Sequence, residues 1–157
     1  MVRANISSGS PFEPRYGFSR AVRVGDRVLV AGTAPIWPDG EVDPDPRRQA
    51  RRCLEIMTAA LAEAGGDPTQ VVRTRMYITD AGHADEVGEA HGEVFGEIRP
   101  ASTMVVVHGL LDPRWVVEME LEAVLTTPPL GSDKQEVDDV WKKEQRIARG
   151  ERSAAGA

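Results

Sequence analysis

The sequence predicts an α+β domain, with helices on one face of a mostly antiparallel or mixed sheet. Two stretches, near 46–64 and 84–98, repeat apolar residues at helical spacing. Five short runs are rich in β-branched residues or alternate apolar with polar. Their order is strand, strand, helix, strand, helix, strand, strand.

Residues 1–15 are rich in Ser, Gly and Pro and are expected to be irregular. Residues 18–24 and 27–33 read as two strands, and Gly25-Asp26 between them suits a tight hairpin turn. The second run ends in Ala31 and Gly32, small enough for another backbone or a ligand to approach closely. Residues 34–46, with four prolines and Gly40, form a loop. Asp45 is placed to cap a helix that opens on Pro46. Ala50, Cys53, Leu54, Met57, Ala60, Leu61 and Ala64 make its apolar stripe; Arg47, Arg48, Arg51, Arg52 and Glu55 take the other side. Gly65-Gly66 ends it.

Residues 70–79 form a strand, with Val72, Thr74, Met76 and Ile78 on one face and Arg73, Arg75 and Tyr77 on the other. The second helix buries Val87, Ala90, His91, Val94, Phe95 and Ile98, and Pro100 marks its end. The nearly continuous apolar run 102–107 predicts a strand covered on both faces. Residues 115–125 alternate instead: Val117, Met119, Leu121 and Ala123 point one way, Val116, Glu118, Glu120 and Glu122 the other. Three glutamates on one face must meet water, cations or a site, because like charges against a core are costly. This strand is expected to border a cleft.

The domain is predicted to span 1–125, with 126–157 as a linker and C-terminal extension. Ser132 with Gln135 suits a capping box, and Val137, Val140, Trp141 and Ile147 fall on one side of a helix expected to dock on its own or a neighbouring subunit. The tail after Arg149 is expected to be disordered.

At 157 residues the chain can bury a substantial core. Its net charge of −6 disfavours nucleic acid. The single cysteine, Cys53, makes no intrachain disulfide, which fits a reducing compartment. No run of signal-peptide length stands near residue 1 and none approaches a membrane span, so a cytoplasmic protein is expected. No histidine pair has ligand spacing, so no metal is expected; no cofactor is expected either.

Pro-Ala-Ser-Thr-Met-Val-Val-Val at 100–107, followed by Val-Glu-Met-Glu-Leu-Glu-Ala-Val at 117–124, resembles the C-terminal signature of the Rid family (YjgF/YER057c/UK114). Phe18-Ser19-Arg20-Ala21, Val30-Ala31-Gly32-Thr33, and Ala64-Gly65-Gly66 before Val71-Val72-Arg73 resemble further family segments, in order and at near-family spacing from about Phe12 to Leu125. The resemblance implies a chorismate-mutase-like fold of about six strands with two helices on one face. It also implies homotrimers with clefts between subunits, and action on small imines or enamines. Glu118 matches the family's water-positioning glutamate. The departures matter as much. Ser102 stands where the deaminases carry the arginine that grips the substrate carboxylate, and Met104 where a cysteine is usual. Phe18, Gly88 and His91 replace a tyrosine, an asparagine and a second tyrosine.

Glu118 is therefore the leading catalytic candidate, able to orient or deprotonate a water; an ion pair across the trimer, for example with Arg73, Arg75 or Arg114, is the alternative. Phe18, Ser19, Gly32, Thr33, Ser102, Thr103, Met104, His91 and Arg75 are the expected substrate-binding residues. Arg75 is a candidate replacement anion holder, unless a glutamate of the chain takes it. Ser102 and Thr103 offer hydroxyls to a neutral polar ligand; no His/Asp pair stands at a spacing that would activate Ser102 as a nucleophile. Phe18, Thr33 and Met104 make the expected cleft more apolar than in the deaminases. His91 fits core packing better than acid/base work, and Cys53 fits an inert core thiol. Two functions compete: a Rid-like enzyme adding water to a small imine, enamine or related reactive metabolite, and a non-catalytic homotrimer that binds a metabolite or a partner.

Overall fold

The computed structural model describes residues 3–126; the expected C-terminal helix lies outside them. Six strands form one mixed sheet: β1 (Arg3–Ile6), β2 (Ala21–Val24), β3 (Arg27–Thr33), β4 (Val71–Ile78), β5 (Ala101–Val106) and β6 (Val117–Val124), in the order β1-β2-β3-β6-β4-β5. Only β4 and β5 run parallel. The helix α3 (Ala84–Phe95) makes the crossover between them, as parallel neighbours require. The longer helix, α2 (Pro46–Glu63), follows β3, and both helices pack on the same side of the sheet.

Local chemistry explains the elements. Asp45 accepts a hydrogen bond from the Arg48 amide at 2.7 Å and caps α2, with Pro46 in its first turn. Gly65 takes φ 87° just beyond the end of α2. The stripe Ala50, Cys53, Leu54, Met57, Ala60 and Leu61 is buried against Val28, Val30, Val117, Met119, Leu121 and Ala123. Each large side chain so buried contributes roughly 1.5–3 kcal/mol. On the outer side, Arg47 and Arg51 clasp Glu93 of α3 at 2.6 and 2.7 Å.

Five details depart from the sequence reading. The N-terminal segment is ordered: β1 pairs with β2, and a short helix α1 (Phe12–Tyr16) follows, held by the buried Glu13, which accepts from Ser8 N at 2.9 Å. β2 starts at Ala21, so Phe18 and Ser19 precede it. A register shift between Val71 and Arg73 places Val71, not Val72, in the core and leaves Val72 exposed. The apolar run of β5 is not covered on both faces; β5 is an edge strand of the described sheet and most of its residues are exposed. The helix α3 ends at Phe95, and Ile98 beyond it is only partly buried.

Candidate functional site

β6 is buried along one face, through Val117, Met119, Leu121 and Ala123, so Glu118, Glu120 and Glu122 line the face away from the helices. The three carboxylates are not equivalent. Arg75 of β4 donates to Glu120 at 2.6 Å and lies 3.1 Å from Glu122, which also meets Arg27 at 3.5 Å. Arg114 is taken by Asp112 at 2.8 Å. Glu118 sits opposite Tyr77, and among the described residues no hydrogen bond or ion pair engages its carboxylate. Among the described residues of one chain, Glu118 forms no ion pair with Arg73, Arg75 or Arg114. Arg75, expected as an anion holder, is occupied by two carboxylates instead.

Burial pushes the Glu118 carboxyl above its ordinary range; the Arg20 charge opposes this and Glu120 reinforces it. The carboxylate lies over Gly32, where an added Cβ would come within 2.5 Å of Oε1. Gly32 lies within the slip of the β3–β6 register between Val30 and Thr33. Arg20 braces this corner. Its Nη1 donates to Gly32 O at 3.1 Å and to Thr33 Oγ1 at 2.7 Å, and the Thr33 hydroxyl donates to Ala31 O at 2.8 Å. The Arg20 side chain is buried, and its Nε is left without an acceptor. Sequence reasoning missed Arg20; its only signal was a charge between Ser19 and the buried Ala21.

A second polar group lies across the sheet. Thr74 of β4 is buried, and its hydroxyl is 2.9 Å from His91 Nε2 on α3 and 3.0 Å from Ser102 Oγ on β5. Burial pushes the His91 imidazole below its ordinary range, and its ring tilts against Phe95 at 4.8 Å. The register pairs Ser102 with Thr74, so Ser102 belongs to the helix-bearing face. Sequence reasoning put Ser102 and Glu118 in one cleft; within one chain the sheet stands between them. Met104 pairs with Met76 and turns toward the core, whereas Thr103 pairs with Arg75 on the open face.

The remaining candidates spread along the open face and its rim. Ser19, Leu29, Ala31, Arg75, Glu120 and Glu122 line a shallow depression of about 230 Å³, which Glu118 does not line. Phe18 is half exposed, with its amide tied to Glu13 O at 3.1 Å. Cys53 is buried, and burial pushes its thiol well above the usual range, so it is inert. Among the described residues no cluster of His, Cys, Asp or Glu could hold a metal, and no helix is long and apolar enough to cross a membrane.

This is an α+β sheet protein in which an unengaged, half-buried acid, Glu118, is seated over a glycine on the face away from the helices. The family model described as Endoribonuclease L-PSP matches residues 9–125. A protein of Streptomyces coelicolor with no described function is 42% identical over 121 residues, 75% of this chain and 89% of its own. A RutC family protein of Pyrococcus abyssi is 38% identical across 79% of this chain and 97% of its own. The crystal structure of a YjgF/YER057c/UK114 family member from Mycobacterium tuberculosis is 44% identical, with TM-score 0.73, over 79% of this chain and all of its own. More distant is Escherichia coli TdcF, whose assigned name is that of a reactive intermediate deaminase; it is 28% identical over 68% of this chain and 84% of its own. A structure of TdcF holds bound serine and matches with TM-score 0.66 and 25% identity, over 78% of this chain and 94% of that one. The chain belongs to the Rid/YjgF family, and the six-stranded mixed sheet is that family's fold.

Proposed function

We propose that this chain is a Rid-type enzyme that adds water to a small imine, enamine or related reactive metabolite. The observation that carries this is Glu118: half-buried, raised in pKa, and without a hydrogen bond or ion pair among the described residues. A carboxylate so placed holds a water by hydrogen bonding and accepts its proton as the oxygen attacks an electrophilic carbon. The reaction needs no cofactor.

The substrate cleft lies between subunits of a homotrimer. The separation of Ser102 from Glu118 supports this reading, because the two meet only if one copy's edge strand β5 docks beside another copy's open face. The apolar, exposed Val105 and Val106 of β5 suit such burial. A ligand of about the size of serine, which TdcF binds, is of the right class. Ser102 supplies no positive charge where the deaminases have arginine. Each hydrogen bond to a charged group is worth about 1.5–3 kcal/mol, so simple α-carboxylate imines should bind poorly. The 1–125 unit carries this activity in the cytoplasm, and 126–157 is an appendage to it.

Assaying 2-aminoacrylate hydrolysis against arginine-bearing relatives tests the reading. Slow turnover that Glu118→Gln lowers about a hundredfold or more supports it. A rate equal to the relatives' defeats the altered-specificity part; a rate indifferent to Glu118→Gln defeats the mechanism. The absence of the arginine favours a second reading, a non-catalytic binding trimer, which gains if ligand affinity survives Glu118→Gln and no substrate turns over.

A further inference from the structure

Three side chains from three elements form one hydrogen-bonded line through the sheet's edge: His91 of α3, Thr74 of β4 and Ser102 of β5. Thr74 sits at its centre, about 1% exposed, so neither of its bonds is replaced by water. A threonine hydroxyl has one proton to give. Ser102 Oγ, at 3.0 Å, is in reach to accept it. With the proton placed there, His91 Nε2, 2.9 Å from the same oxygen, is the donor, and the ring is the Nε2–H form. With its lone pair accepting from Thr74, the Ser102 hydroxyl keeps its own proton free and is exposed at the chain's edge. The line has a direction: from the imidazole, through the threonine, outward to the serine.

We propose that His91, acting through Thr74, holds the Ser102 hydroxyl as an outward hydrogen-bond donor, and so selects substrates that offer a neutral carbonyl oxygen there rather than a carboxylate. His91 and Thr74 are positioning residues, and Ser102 is the contact. This assignment rests on the cleft reading given above and specifies its substrate class: small amides and other uncharged carbonyl compounds. Chemistry favours them at this point. A carboxylate entering beside a lone hydroxyl loses its hydration without gaining a cation, whereas an amide oxygen needs only one good donor. Two of the sites at which this chain departs from the deaminases, His91 and Ser102, are thus joined through one buried hydroxyl.

The test uses the whole chain. Nitrogen-15 spectra of His91 report which ring nitrogen bears the proton, and the expected result is Nε2–H. Pyruvamide and pyruvate serve as a neutral and a charged probe of one shape, with binding read by calorimetry. Pyruvamide should bind more tightly by about threefold to tenfold, the worth of one hydrogen bond. Thr74→Val should erase that preference, Thr74→Ser should restore it, and His91→Gln, which keeps a donor near the Nε2 position, should retain more of it than His91→Phe. A purely structural role for the line would weaken both probes alike and leave no preference to restore. An Nδ1–H ring with pyruvamide still bound overturns this proposal alone. Equal affinity for the two probes, or a preference untouched by Thr74→Val, overturns it as well. If neither probe binds while the ring is Nε2–H, the cleft reading fails and carries the selectivity down with it.

Discussion

Glu118 costs the fold something. Its carboxyl titrates above the ordinary range because burial penalises the charge. Its contribution to stability is therefore complete at pH values below the unfolded carboxyl's pKa, about 4.3, and is lost as pH rises through the higher folded value. Glu118→Gln should accordingly melt above the wild type at pH 7, and the gap should close on acidification below about pH 4. Thermal melts across that range check the sign. Gly32 is the companion residue. In Gly32→Ala the new methyl would strike Glu118 Oε1, the far end of a flexible side chain, so the carboxylate moves and the backbone need not. Stability should change by less than about 1 kcal/mol while turnover falls steeply. A variant that keeps full activity would show that the carboxylate's seat does not matter. Glu118 was readable because a strand's alternation is visible in one dimension. The Thr74–His91–Ser102 line was not, since its partners lie 17 and 28 residues apart and meet only once the register is set.

Among the elements, the entry to β6 depends on a residue that periodicity placed on no face. Gln49 of α2 is fully buried. Its Nε2 donates to Asp43 O at 2.8 Å and Arg114 O at 2.9 Å, and its Oε1 accepts from Val116 N at 2.8 Å. One amide thus ties the loop before α2 to the segment that leads into the glutamate strand. Gln49→Leu fills the space but strands three backbone groups, each costing about 1–3 kcal/mol when buried and unmade. A loss of at least about 2 kcal/mol in denaturant unfolding is expected, and Gln49→Glu, which keeps the acceptor alone, should fall between. The sequence showed α2, its cap and its stripe because these are local. It hid β1, whose residues Arg-Ala-Asn-Ile have no strand-like pattern and are held by pairing with β2. It also hid the slip at Val71, which a simple alternation read as continuous.

At the scale of the molecule, among the described residues, the helices cover one face of the sheet and leave the other to Leu29, Tyr77, Arg75 and the glutamates. Leu29 is 45% exposed there and faces Glu122 across the ladder. On the trimer reading this face and the β5 edge are buried between copies, which would also account for the continuous apolar run of β5 that one chain leaves uncovered. Sedimentation should find a particle of three 17.1 kDa chains. Leu29→Glu, which sets a further negative charge beside Glu122, should shift it toward single chains with little change in helix content. A wild-type monomer at micromolar concentration would remove the intersubunit cleft.

The sheet's two sides impose one more result. If a working pocket takes its acid from one polypeptide and its hydroxyl from the next, two crippled proteins can repair each other. Preparations of Glu118→Gln and of Ser102→Ala, each impaired, would on mixing and exchange form hybrids in which some pockets inherit both intact groups. Recovered turnover, above the average of the two parents, would mean that the catalytic unit is a junction and not a chain.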